Sequence, residues 1–176
     1  MGFGMRTFRM WSVVVAMCSL VLPATTIAAS PCWSAPVTAS ITDPFRPPRC
    51  RWCPGNRGLE YATAIGDVVH AVATGTVTFS GTIAGTSYVV IQLSDGLRVT
   101  YGGLANVTLV AGNIVVRSSV VGRAAGHVHF GVRDGDEYLD PTGFIGTWHS
   151  RPRLVPANGD APAAAPPPQL RCPVQQ

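Results

Sequence analysis

The feature that most constrains this chain is a series of short β-branched segments separated by glycines. Candidate strands cover residues 67–73, 75–80, 87–93, 97–101 and 128–132, and residues 107–116 supply one or two more, broken at Gly112. Ser94-Asp95-Gly96 and Asp134-Gly135 are typical of tight turns between antiparallel strands. No window shows a helical period. We therefore predict an all-β, antiparallel fold with short or no helices.

The N-terminal segment has the pattern of an export signal. Arg6 and Arg9 precede an apolar run over residues 10–22, and small residues continue to Ser30. This order is typical of a secretory signal peptide with cleavage near Ala28 or Ala29. The apolar run has about 13 residues, whereas about 20 are needed to cross a bilayer, so an uncleaved N-terminal anchor is the less favoured alternative. We predict a secreted protein whose mature chain has no membrane span.

The rest of the chain is long enough for one domain. Removal of residues 1–29 leaves about 147 residues. We divide these into an N-terminal segment over 30–41, a domain over 42–146 and a Pro/Ala-rich tail over 147–176. The formal charge falls from +4 to about +2 with the signal, and the remaining arginines are scattered. That distribution disfavours nucleic acid as a partner, and we expect a monomer.

Four cysteines remain after cleavage, an even number that favours disulfides in an exported chain. Cys32 and Cys172 lie near the two ends, so a bond between them would join the termini. Cys50 and Cys53 could close their own tight loop, or each could pair further away. The sequence does not choose among the three pairings. A redox or zinc role for Cys50 and Cys53 is the less favoured interpretation, because no thioredoxin-like βαβ context surrounds them.

Two histidines fall on one face of a predicted strand. Side chains alternate along a strand, so Val128, Phe130 and Val132 share a buried face. His127 and His129 then point to the opposite face, about 7 Å apart. Such a pair suits zinc binding or acid–base chemistry, although most His-x-His patterns are simply exposed strand residues.

The order of several motifs resembles that of the LytM-like M23 peptidase family. The series begins with Asn56-Arg57-Gly58-Leu59-Glu60 and residues 66–72. Tyr101-Gly102-Gly103-Leu104 then stands where the family has Tyr-x-His-Leu. His127-Val128-His129-Phe130 and Asp140-Pro141 resemble the closing motifs, and the similarity runs from about residue 42 to residue 145. The resemblance implies a small antiparallel sheet around a groove, and zinc-dependent cleavage of peptide cross-links in bacterial peptidoglycan.

The resemblance also assigns roles to five positions, several of which depart from the family. The metal positions, where the family has His, Asp and His, hold Asn56, Glu60 and His129. The two positions that handle protons hold His127 and, in place of a histidine, Gly103. Loss of an acid–base group typically costs about 10²–10⁴ in rate. The neutral Asn56 amide is a poor zinc donor, and losing one good ligand costs a zinc site much of its affinity, so we expect zinc binding to be weak or absent. On paper, the family's residues at 56, 60 and 103 would rebuild the constellation.

Several functions follow as hypotheses. The favoured one is an exported M23-type domain at the bacterial cell wall, impaired in catalysis, that binds peptidoglycan or regulates a wall hydrolase. The alternative is an active zinc metalloendopeptidase that cleaves peptidoglycan cross-links through an altered metal site, with Cys50 and Cys53 thiolates as replacement ligands. A third is a purely structural wall protein. The substrate-binding residues are not identified by sequence. His70 and His149 are interpreted as surface residues.

Overall fold

The computed structural model describes residues 1–2, 31–50, 52–150, 164 and 166–173. The predicted signal peptide lies almost entirely outside these residues. Among those described, no helix has the length and apolarity that a membrane crossing requires. The strands are β1 (Ile41–Asp43), β2 (Leu59–Tyr61), β3 (Val68–His70), β4 (Gly75–Ile83), β5 (Thr86–Leu93), β6 (Leu97–Ala105), β7 (Ile114–Val115), β8 (Val120–Asp134), β9 (Glu137–Leu139), β10 (Thr147–His149) and β11 (Gln169–Arg171).

Nine of these strands form one antiparallel sheet. The order is β1-β2-β8-β6-β5-β4-β7, and β3 and β9 also pair with β8. Within the described residues the one helix is a short 3₁₀ turn over Pro141–Gly143, capped by the Asp140 side chain, which accepts a hydrogen bond from the Thr142 backbone N–H. The prediction of an all-β, antiparallel fold with short or no helices is confirmed.

The core follows from alternation along the central strands. Val128, Phe130 and Val132 of β8 are fully buried, and so is Tyr101 of β6. The Tyr101 and Phe130 rings lie 5.4 Å apart in a tilted arrangement. β8 is therefore packed on one face along its C-terminal half, while its other face carries the two histidines. This burial pattern agrees with the predicted division of the strand into two faces.

The predicted strand boundaries differ from the structure most clearly at β8 and over residues 107–116. β8 begins at Val120, eight residues before the predicted start, because its first half pairs with β3 and with the end of β6. The segment over residues 107–116 contributes only β7. Its turn is stabilised by Asn113, whose side-chain oxygen accepts a hydrogen bond from the Val110 N–H. This local bond competes with a strand ladder.

The segments around residues 32 and 172 meet at one corner of the domain. Cys32 is bonded to Cys172 across 140 residues of sequence. Trp33 is buried and stacks on Phe144 at 4.9 Å. β10 and β11 pair with each other within the region assigned to the Pro/Ala-rich tail. The apolar anchor at Trp33 was not predicted, since a lone tryptophan between polar residues carries no periodic signal.

Candidate functional site

β2 and β8 bring three of the five predicted site positions together. Glu60 of β2 pairs directly with His129 of β8 in the antiparallel register. His127 lies two residues earlier on the same strand and is exposed. Directly paired residues on one face of a sheet have Cβ atoms about 5 Å apart, close enough for side-chain contact.

The Glu60 carboxylate and the His129 imidazole form a direct hydrogen bond. Glu60 Oε1 lies 2.6 Å from His129 Nδ1, and the side chains are 28% and 24% exposed. The contact joins strand β2, which follows the loop that carries Asn56, to the central strand β8. A hydrogen bond between partly buried ionisable groups stabilises this geometry and also occupies Nδ1 of the ring.

Asn56 is one of the two buried polar residues among those described, at 7% exposure. Its Nδ2 donates hydrogen bonds to the backbone oxygens of Asp43 and Pro44, at 3.2 and 3.1 Å. Its Oδ1 accepts a hydrogen bond from the Gly58 N–H at 3.2 Å. Both ends of the amide therefore take part in a tie between the end of β1 and the approach to β2.

An exposed ion pair supports the same loop. Arg46 bonds the Asp43 carboxylate through two guanidinium nitrogens. This hydrogen bonding by Arg46 holds the pKa of Asp43 below its usual value. The backbones of Arg46 and Asn56 also pair in an isolated antiparallel bridge. The loop that carries Asn56 is thus fixed by backbone and side-chain contacts alike.

Gly103 lies in a bulge where β6 leaves the register of β8. Gly102 pairs with His129, but Leu104 pairs with Ala124, so the two strands shift around Gly103. Gly103 has φ of +72°, and a Cβ built there would lie 2.2 Å from the His127 carbonyl oxygen. A side chain at this position therefore collides with backbone unless the strands move apart. The sequence offers no signal that would distinguish this steric restriction from the simple replacement of a histidine by glycine.

A cavity of about 440 Å³ opens beside these residues. Asn56, Glu60 and His129 line one side of it. Other lining residues were not predicted: Arg57, Tyr88, Thr100 and Tyr138. The Arg57 guanidinium carbon lies 5.5 Å from the centre of the Tyr138 ring. Arg57 was visible in the first motif, whereas Tyr138 follows the last predicted turn and has no motif of its own.

The four cysteines among the described residues form two disulfides. Besides Cys32–Cys172, Cys50 is bonded to Cys53, with Cα atoms 5.0 Å apart, in the range that a disulfide allows. The sequence had left the pairing open. Because both sulfurs of the short loop are bonded to each other, the structure does not support their use as replacement metal ligands.

The fold and these positions define an M23-type peptidase domain, and comparison with known proteins agrees. The sequence model of peptidase family M23 matches residues 54–141, so the chain belongs to that family. The Mycobacterium tuberculosis uncharacterized protein Rv2891 is 32% identical over 144 residues, which cover 65% of this chain and 57% of the relative. The chain thus spans little more than half the length of the curated relatives it matches.

Solved structures support the fold. Helicobacter pylori Csd3 matches with a TM-score of 0.59 and 30% identity, covering 67% of this chain and 36% of that one. A zinc-containing peptidase from Vibrio cholerae matches with a TM-score of 0.55 and 25% identity, covering 63% and 39%. The SpoIIQ–SpoIIIAH pore-forming complex matches with a TM-score of 0.58 at 20% identity, covering 66% and 92%, which shows the fold alone.

Peptidases of this family are generally zinc-dependent, and the donors of this chain can be compared with what zinc requires. Two ligands of a tetrahedral zinc lie about 3.3 Å apart, because each bond is about 2.0 Å. Glu60 Oε1 and His129 Nδ1 are instead 2.6 Å apart and bonded to each other. The Asn56 amide nitrogen and oxygen are both engaged with backbone groups. Nowhere in the described part of the chain do three His, Cys, Asp or Glu side chains converge as ligands. These residues do not fit a catalytic zinc.

Proposed function

We propose that this chain is an exported, non-hydrolytic M23 domain that binds peptidoglycan peptides at the bacterial cell wall. The observation that carries the proposal is the tie made by Asn56. A ligand position of the family holds an amide whose donors and acceptor are satisfied by backbone, at a buried site. A residue with this role stabilises the loop rather than a metal.

Two further features support impaired catalysis. Gly103 supplies no acid–base group, and its backbone leaves no room for one. The Glu60–His129 bond takes up the remaining carboxylate and one nitrogen of the remaining imidazole. His127 alone keeps its side chain at the exposed surface, and a single imidazole does not make a hydrolytic centre.

The groove itself persists. The cavity beside Glu60 and His129 has about 440 Å³, within the usual range for a small ligand. Its lining includes the Arg57 guanidinium and the Tyr88 and Tyr138 rings, which suit carboxylates and the apolar parts of a short peptide. Binding without cleavage is therefore the function that this geometry supports best.

The test combines binding, metal content and hydrolysis on one preparation. We expect the purified protein to sediment with peptidoglycan sacculi and to release no new amines, with or without micromolar zinc. Zinc retained after dialysis should be well below one ion per chain, because the donor set is incomplete. One tightly held zinc together with zinc-dependent amine release would establish the alternative, an active metalloendopeptidase. Failure to sediment with sacculi would reject the binding function.

A further inference from the structure

The two edges of the nine-stranded sheet are protected to different degrees. At one edge, β1 has three residues, includes the charged Asp43 and is followed by Pro44. At the other edge, β7 covers only the first two residues of β4, and the last bond on this side joins the Gly112 N–H to the Val77 carbonyl. Short length, charges and prolines are the usual means by which a sheet edge is kept from pairing with another chain. β1 combines all three, whereas the stretch of β4 after Val77 carries neither charge nor proline.

The free edge of β4 extends from Thr78 to Ile83. Within the described part of the chain, this stretch pairs with β5 on one side and with no strand on the other. A bulge lies at its start, and the register with β5 is regular from Phe79 onward. The surrounding residues 71–94 include no charged side chain and no histidine. Phe79 and Ile83 are 38% and 57% exposed, so the edge offers apolar side chains as well as backbone groups.

The backbone groups on the free side of this edge belong to Ser80 and Thr82. Ile83 and Thr86 are the paired residues that flank the two-residue turn Ala84-Gly85, whose residues both have positive φ. The N–H and C=O groups of such a flanking pair face each other. Backbone groups point alternately to the two sides of a strand, so Thr82 and Ser80 present theirs away from β5. They form a short row of donors and acceptors with which another extended strand can pair.

The sequence of this edge is symmetric about Gly81. On each side of the glycine lies first a hydroxyl residue, Ser80 or Thr82, and then a large apolar residue. If two copies pair antiparallel around a two-fold axis at Gly81, Ser80 of each copy pairs with Thr82 of the other. Phe79 pairs with Ile83 in the same way. The outward backbone groups are then satisfied mutually, and the two glycines form the central pair, at which the strands come closest. A strand of a different protein would gain nothing from this symmetry, so the pattern favours a second copy.

We therefore infer that the free edge of β4 is an interface at which a second copy of this chain pairs antiparallel, centred on Gly81. The Phe79 ring lies over Gly81, where a Cβ would be 3.1 Å from the ring, so the apolar side chains of both copies meet at the axis. The stretch is uncharged, and no like charges oppose each other across the axis. A contact along one short strand is smaller than a stable dimer interface, so the association is weak and depends on concentration. The monomer expected from the sequence is thus one partner of a reversible dimer.

The pairing brings two binding sites to one surface. Tyr88 lines the cavity of the proposed binding site and is the β5 partner of Gly81. A two-fold axis perpendicular to the sheet keeps the same face of both copies on one side, and three strand spacings, about 14 Å, separate the two Tyr88 residues. The dimer can therefore contact one wall at two points, which raises the overall affinity. This consequence rests on the proposed function, whereas the dimer itself does not.

Sedimentation velocity of the mature protein, without wall material, measures the association. We expect a reversible dimer whose share rises with protein concentration. Ile83→Lys places a charge against Phe79 of the other copy, and Thr82→Pro removes the N–H that pairs with Ser80 of the other copy. Each should weaken dimerisation at least about tenfold. The matched control is Ile65→Lys, because Ile65 is 84% exposed but lies beside Gly126 of β8, so this variant should dimerise as the unmodified protein does.

Amide hydrogen exchange locates the contact without any substitution. The Ser80 and Thr82 N–H groups should exchange more slowly as the protein concentration rises, whereas the amides of β1 at the opposite edge should not change. A monomer at all concentrations up to the millimolar range would overturn the inference and leave the edge of β4 to an extended segment of a different protein. A dimer that Ile83→Lys and Thr82→Pro leave unchanged would also overturn it, because its interface would lie elsewhere. Neither result bears on the proposed function, which sedimentation with sacculi tests separately.

Discussion

The loop before β2 and the bulge at the end of β6 each lack a histidine expected from the family resemblance, but they lack it in different ways. At Asn56 the change is confined to a side chain, and the backbone runs in a well-bonded path into β2. At Gly103 the change extends to the backbone, which has positive φ and approaches the His127 carbonyl. A side-chain change can be reversed by one substitution, whereas a backbone change requires that two strands separate.

The two positions differ in how far a substitution could restore the family's catalytic residues. The family's residues at positions 56, 60 and 103 rebuild the constellation only on paper. Asn56→His would break three hydrogen bonds that hold the loop, and Gly103→His would place a side chain against the His127 carbonyl. The loss of catalytic groups and the present packing of the site are therefore coupled.

The largest expected effect is at the bulge. Gly103→His should lower the free energy of unfolding by about 3 kcal/mol or more, because backbone strain at positive φ adds to a collision with the His127 carbonyl. Urea denaturation followed by circular dichroism measures the change. The triple variant Asn56→His, Glu60→Asp and Gly103→His should also fail to gain hydrolysis.

A second glycine with positive φ allows backbone strain to be distinguished from steric collision. Gly112 has φ of +94° and open space where a Cβ would be. Gly112→Ala should therefore cost only the backbone term, about 1 kcal/mol, and Gly103→Ala should cost clearly more. Equal losses for the two alanine variants would show that β6 and β8 can move apart. The change at the bulge would then be reversible by one substitution, like the change at Asn56.

The next largest expected loss of stability is at the loop that carries Asn56. Asn56→Ala should lower the free energy of unfolding by about 2–3 kcal/mol, because it leaves a buried Gly58 N–H and two carbonyls without partners. The control is Asn113→Ala, which removes one exposed bond to the Val110 N–H and should cost about 1 kcal/mol or less. If Asn56→Ala is as mild as the control, Asn56 is not a structural tie and its ligand role is open again.

The same two segments show what sequence reasoning could reach. The strands and the buried face of β8 were predictable because alternation and glycine-bounded turns are local signals. The pairing of Glu60 with His129 was implied by the motif order, but their direct bond was not. From the sequence, Gly103 was interpreted only as a missing side chain, because a bulge and its φ angle are set by strands that are distant in sequence. Tyr138 belongs to no shared motif, and only the folded chain brings its strand to the cavity beside His129.

The smallest expected effects on stability concern two tyrosines on β2 and β6, the strands that flank β8. Tyr61 of β2 pairs with Val128, and Tyr101 of β6 pairs with Phe130. Burial raises the pKa of Tyr61 to about 12 and also raises that of Tyr101. The two hydroxyls differ in one respect. The Tyr101 hydroxyl accepts a hydrogen bond from the Val72 N–H at 3.0 Å, whereas the described residues offer the buried Tyr61 hydroxyl no partner.

Removal of each hydroxyl should therefore have different consequences. Tyr101→Phe leaves the Val72 N–H buried and unpaired, which should cost about 1–3 kcal/mol of unfolding free energy. Tyr61→Phe removes a buried polar atom that has no partner, so stability should stay within about 0.5 kcal/mol or rise. Urea denaturation of both variants under identical conditions measures the difference. A loss for Tyr61→Phe as large as that for Tyr101→Phe would mean that the β2 side of β8 is as tightly hydrogen-bonded as the β6 side, and the distinction between the two segments would then rest on Gly103 alone.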